Sequence, residues 1–215
     1  MVVRNLIDAR RRGSSALVAI AAAWVCALPG CFGGDQSDDK AIARAGLIGL
    51  ADLPAVAVRA DEPLASRSCN PITDFRAAGG VVAVAPGFDF ASSKVEQVVA
   101  VFGASSEASA AHAALTRRRR LSCMGSQFRR EVEQRAGEPV TVLVEVSRRA
   151  LGENPASQVT LTVTSPKGVA SRVNLHYAVT DRAVTAIALL VRSDQGALSG
   201  DDLIKKSVRA LADRQ

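Results

Sequence analysis

The sequence predicts an α+β fold, an antiparallel sheet of about five to six strands with helices packed on one face. Three observations predict it. The C-terminal half holds four segments whose apolar residues recur at every second position, joined by connections of hairpin length. An Ala- and Arg-rich stretch with no such alternation precedes them, and apolar residues at helical spacing open and close the folded part. The order helix, strands, long helix, four strands, helix puts strands beside strands, which argues for hairpins rather than a parallel sheet.

From Asp38 to Leu50 the residues Ile42, Ala45, Ile48 and Gly49 recur at helical spacing behind acidic residues that suit a helix N-terminus, and Leu53-Pro54 ends that helix. Asn70-Pro71 opens a turn or short helix through Phe75 and Ala78. Gly79-Gly80 and Pro86-Gly87 then bracket Val81–Ala85, an apolar run too short for periodicity to assign. Phe88 and Phe90 alternate with Asp89, and Val95, Gln97, Val99 and Val101 with Glu96, Val98, Ala100 and Phe102, which reads as a hairpin entering the sheet.

The long helical stretch starts at Ser105, runs to Leu115 and continues to Arg135 with a break at Gly125, and Gly137 stops it. In the four strands that follow, Val140, Val142, Val144 and Val146 share one face, as do Val159, Leu161 and Val163 opposite Thr160, Thr162 and Thr164. Val173, Leu175, Tyr177 and Val179 alternate with Arg172, Asn174, His176 and Ala178, and Ile187, Leu189 and Val191 alternate with smaller residues. Ser199, with Asp202 three residues on, starts a closing amphipathic helix through Leu203, Val208 and Leu211.

The first 30 residues are of another kind. Arg4, Arg10, Arg11 and Arg12, opposed only by Asp8, precede the apolar run Ala16–Ala27, a positive segment and a short apolar one as in a secretory signal. A bilayer span needs about 20 apolar residues, so a permanent transmembrane helix is the weaker reading. Leu28-Pro29-Gly30-Cys31 resembles the lipobox of bacterial lipoproteins, with Pro29 where a small or hydroxylated residue is usual. In such proteins the Cys is acylated and becomes the mature N-terminus, and two or more acyl chains, at about 0.8 kcal/mol per buried methylene, hold a domain to the membrane durably. The expected organisation is a signal peptide at 1–30, a lipid-anchored flexible tether at 31–39 and a folded domain at 40–215, outside the cytoplasm. Ordinary cleavage and an uncleaved anchor are the alternatives.

Processing changes the charge balance. Of 27 basic residues four leave with the signal, and of 21 acidic residues one does, so 23 and 20 remain and the net charge falls from +6 to +3. That weakens a nucleic-acid reading based on overall charge, and the loss of Trp24 leaves few aromatics for base stacking, so no nucleic-acid partner is expected. Of the four cysteines, Cys26 lies in the signal and Cys31 takes the lipid, so Cys69 and Cys123 remain to pair in an oxidising compartment. Two buried free thiols are the alternative.

Chemistry-bearing constellations are scarce. His112 and His176 are the only histidines, and no metal-ligand spacing accompanies them, so no metal and no cofactor is expected. No nucleophile-elbow motif occurs either. Arg172, Asn174 and His176 share one strand face and would line a ligand cleft; a solvated sheet face is the bland reading. Arg117, Arg118, Arg119 and Arg120, with Arg129 and Arg130 further on, would contact an anionic lipid surface, against the bland reading of an exposed, solubilising helix. Four consecutive helical residues spread around the circumference, so the run forms one patch only if the helix bends there.

The N-terminal helix ending in "GLADLP", a Cys followed by a hairpin, "VVAVFGASSEASAAHAAL" running strand into helix, a second Cys in that helical region and a C-terminal helix after four strands together resemble the sensor-type domains of actinobacterial envelope proteins. These include small lipoproteins and the extracellular sensor domains of mycobacterial serine/threonine kinases. Those kinase domains carry two disulfides, whereas this mature domain can form one. The resemblance implies an antiparallel sheet backed by helices, a cleft for an unidentified ligand and no enzymatic activity. The expectation is a non-enzymatic envelope lipoprotein that binds a small molecule, a lipid or an envelope protein; a lipid or glycolipid carrier with an apolar cavity is the runner-up and a hydrolase comes third.

Overall fold

The alternation over residues 140–191 becomes four antiparallel strands in the computed structural model, which describes residues 36–54, 57–59, 69–90, 93–166, 168–191 and 199–214. All of them belong to the second of two units, Phe32–Gln215. The signal peptide, Cys31 and the first part of the tether lie outside the described residues. The elements are α1 (Gln36–Ala45), a single 3-10 turn (Leu50–Asp52), β1 (Val58–Arg59), α2 (Pro71–Ala77), β2 (Val81–Val84), β3 (Phe88–Phe90), β4 (Ser93–Val101), α3 (Ser105–Leu115), α4 (Arg118–Ala136), β5 (Thr141–Leu151), β6 (Asn154–Ser165), β7 (Gly168–Thr180), β8 (Ala183–Val191) and α5 (Gly200–Ala212). Gln36–Asp39, read as tether, are the first turn of α1, and Asp39 is buried against Arg182, whose Nη1 lies 2.6 Å from its Oδ1.

The sheet is fully antiparallel, in the order β1-β3-β4-β8-β7-β6-β5, with β2 pairing the same edge of β4 as β3. It therefore has eight strands where five to six were expected. Val84 pairs Val98 and Phe88 pairs Val95, so Pro86 and Gly87 face the single residue Glu96. This bulge splits what is otherwise one edge strand into β2 and β3, because Pro86 lacks an N–H for the ladder. Val81–Ala85, unassigned from sequence, is thus half of that strand, and the two-residue β1 carries no periodic signal at all.

Helices cover both faces, not one. Alternate residues of β4 divide between two cores: Val98 and Ala100 pack with α2, α3 and α4, while Val95, Val99 and Val101 pack with α1 and α5. β8 divides in the same way, Val184 and Ala186 toward α3 and Ile187 and Leu189 toward α5. A strand buried on both faces must read as a near-continuous apolar run, as "VVAV" and "AIALLV" do. The long helical stretch breaks at Thr116–Arg117, where Arg117 is extended at φ −68° and ψ 142°, rather than at Gly125. Gly125 lies inside α4 because a Cβ there would meet Val144 Cγ2 at 3.1 Å; its absence lets the helix sit close on β5.

Candidate functional site

Between α2 and α4, on the face away from α5, the sheet is left uncovered over a cleft of about 130 Å³. Its floor is Val98, Leu161, Val173, Leu175, Ala186 and Ala188, and its walls include Ile72 from α2 and Met124 and Phe128 from α4. The hollow follows from β8, whose residues on this side are small at Ala186 and Ala188 while Ile187 and Leu189 fill the opposite core. Asn70, Glu96 and Gln127 add polar groups to its lining; Lys94 Nζ lies 3.4 Å from Glu96.

The walls are tied together at several points. Asn70 caps α2 by accepting from the Ile72 N–H at 2.8 Å, and the preceding Cys69 is bridged to Cys123 of α4. The Cys69 N–H donates to Gln127 Oε1 at 3.2 Å, and the Cys69 carbonyl accepts from Arg120 Nη2 at 3.0 Å. Arg120 also pairs with Asp74 of α2. Burial lowers the Arg120 pKa, an effect opposed by its neighbour Tyr177; burial pushes the Tyr177 hydroxyl up to about 12. Tyr177 therefore keeps its proton at neutral pH, and the Arg120 guanidinium is braced between the two walls.

This geometry divides the arginine run. Arg117, Arg118 and Arg119 are exposed, whereas the Arg120 side chain is only 9% exposed and engaged with the cleft. Arg120 is thus withdrawn from the anionic-surface contact read for all four. The trio Arg172, Asn174 and His176 also changes place: it lies on the α5 side of β7, behind the cleft floor formed by Val173 and Leu175. Arg172 is exposed, Asn174 accepts from Thr160 Oγ1 at 3.1 Å, and His176 is buried under the start of α5. His176 Nδ1 lies 2.7 Å from Arg149 Nη2 and 3.2 Å from Asp201 Oδ1, and a Cβ on Gly200 would overlap the imidazole ring. Desolvation and then Arg149 depress the His176 pKa to about 4, so the neutral ring accepts from Arg149 at Nδ1.

The other histidine meets a serine. His112 Nε2 lies 3.1 Å from Ser157 Oγ beneath α3, and burial lowers its pKa. Ser157 is buried and not part of the cleft lining. No group of His, Cys, Asp and Glu side chains suited to a metal ion occurs among the described residues, and no described helix is long and apolar enough to cross a membrane.

No protein-family model matches this chain, and no curated protein does. Among solved structures it is similar to the extracellular domain of PknH from Mycobacterium tuberculosis, at 10% identity over 81% of this chain and 96% of that one, with a TM-score of 0.48. It is also similar to PsbP (CyanoP) from Synechocystis sp. PCC 6803, at 10% identity over 75% of this chain and 82% of that one, with a TM-score of 0.38. The functional reading rests on the cleft itself.

Proposed function

We propose that this chain is a non-enzymatic binding domain, held by a lipid on Cys31 to the extracytoplasmic face of the cell membrane, whose α2–α4 cleft takes the apolar end of a ligand. The cleft carries the reading: an apolar floor, polar groups of Asn70, Glu96 and Gln127 in the lining, and walls braced by Arg120 and the Cys69–Cys123 bridge. The signal-like N-terminus and the disulfide support an address outside the cytoplasm. Size selects the ligand. An apolar cavity of ~150 Å³ accepts a benzene ring, so about 130 Å³ suits a ring or a short branched chain rather than a whole lipid. Carriers of larger molecules use several hundred Å³, which favours sensing or recognition over transport.

Ala188 is half-buried on the cleft floor, and Ala188→Phe would fill the hollow from below. Titration of both proteins with N-phenylnaphthylamine, which brightens in apolar sites, measures the effect. The variant is expected to lose affinity by about tenfold or more, equivalent to ~1.4 kcal/mol. Equal binding by the two proteins would sink the proposal.

A further inference from the structure

The sheet ends on β5, an 11-residue strand with no proline and no bulge, paired only with β6 among the described residues. Such an edge templates pairing with another strand unless something guards it. Leu143 and Val146, 55% and 40% exposed, both lie on it. The hydrogen-bond phase follows from the two-residue turn Gly152–Glu153, which Leu151 and Asn154 close. Leu151 and the other odd-numbered residues exchange bonds with β6, so Val142, Val144, Val146, Arg148 and Ala150 turn their N–H and C=O groups outward.

The charges on β5 suit a second copy of the same strand. Antiparallel pairing about a two-fold axis normal to the sheet sets opposite one another only residues of the same face, hence both odd or both even in number. Glu145 can then meet Arg149 but not Arg148. The register centred on Ser147 makes that match twice, sets Leu143 opposite Leu151 of the second copy, and pairs the outward groups of Val146 with those of Arg148 of the second copy. Shifting the centre to Val146 sets Glu145 against Ser147, and shifting it to Glu145 sets like charges together. Asp201 holds Arg149 in place at 2.5 Å, while 24% of the side chain stays exposed.

We infer that β5 is a dimerisation edge across which two copies pair antiparallel, centred on Ser147, joining two eight-stranded sheets into one. Sedimentation of the full chain in mild detergent tests it. Wild type is expected to show a concentration-dependent dimer. Val146→Pro removes an outward N–H and no bond to β6, and Glu145→Arg sets like charges opposite each other; both are expected to weaken dimerisation at least tenfold while keeping the monomer's circular dichroism. Register is read by cross-linking: facing residues of a pair that is not hydrogen-bonded lie ~4.5 Å apart at Cα, within disulfide reach. Ser147→Cys should therefore give a covalent dimer on oxidation and Leu143→Cys should not. A wild-type chain that stays monomeric, whether or not its edge accepts a strand of another protein, overturns the inference, as does a dimer that persists in both pairing variants. Equal cross-linking at the two cysteine positions overturns the register and the proposal with it.

Discussion

His176 shows how far a residue's role depends on what packs over it. On the strand pattern it belongs with Arg172 and Asn174 as an outward polar row, but the start of α5 closes over it at Gly200 and brings Asp201 alongside. A buried neutral imidazole makes a definite prediction for acid stability. Its pKa is about 4 when folded against 6.5 unfolded, so below pH 6.5 the unfolded chain binds the proton first. Stability is therefore complete above pH 6.5 and lost as the pH falls through about 4, by up to about 3 kcal/mol at ~1.4 kcal/mol per pH unit. Denaturant titrations across that window should show a shallower pH slope in His176→Gln than in wild type, and parallel slopes would exonerate His176. Asp201, drawn down by Arg149 although burial alone would raise it, adds to the loss in the same direction at lower pH. None of this was legible in the sequence, because α5 is distant in the chain and no local pattern reports which strand it will cover. Arg120 was indistinguishable from its three neighbours for a similar reason: helical phase, not residue type, turned it inward.

At the scale of elements, α4 carries the exposed arginines Arg118, Arg119, Arg129 and Arg130. Arg118 and Arg129 are eleven residues apart, as are Arg119 and Arg130, which is about three turns at ~3.6 residues per turn. All four are exposed on the outward side, with exposed Ser122 and Ser126 between them. The acidic residues of the helix turn elsewhere, Glu131 to Gln127 and Glu133 to the Val140 N–H. We propose that this face, rather than the consecutive run, contacts anionic lipid. Each arginine near such a surface gains ~1 kcal/mol, so in a Cys31→Ser chain, which carries no acyl anchor, changing the four to Gln should reduce flotation with phosphatidylglycerol vesicles by at least about tenfold and leave phosphatidylcholine flotation unchanged. The N-terminal arginines are common to both proteins and cancel in the comparison; identical flotation of both would refute the contact. Strands with clean alternation, β5 to β8, were readable as such. β1, of two residues, and β2, cut from β3 by Pro86-Gly87, were not, since each acquires its identity from the edge it pairs.

In the whole molecule one covalent link organises the cleft. The Cys69–Cys123 bridge closes a sequence separation of 54 and joins the start of α2 to α4. In the chain-entropy picture a loop of this length stabilises by about 4 kcal/mol. A Cys69→Ser/Cys123→Ser protein should therefore lose about that much in denaturant unfolding and bind N-phenylnaphthylamine more weakly, because Arg120 and Gln127 alone would align the walls. Unfolding at the wild-type midpoint would show that the bridge is not a brace. The sequence by itself determined the α+β class, the four long antiparallel strands, Cys69 and Cys123 as the pair to bridge and the small residues of β8, because periodicity and cysteine positions are properties of the chain alone. Only the tertiary structure decided that helices cover both faces, that the cleft lies behind Arg172, Asn174 and His176 rather than on them, and that Arg120 braces it. Those outcomes depend on which face each helix crosses to, and that is fixed by packing between residues far apart in the chain.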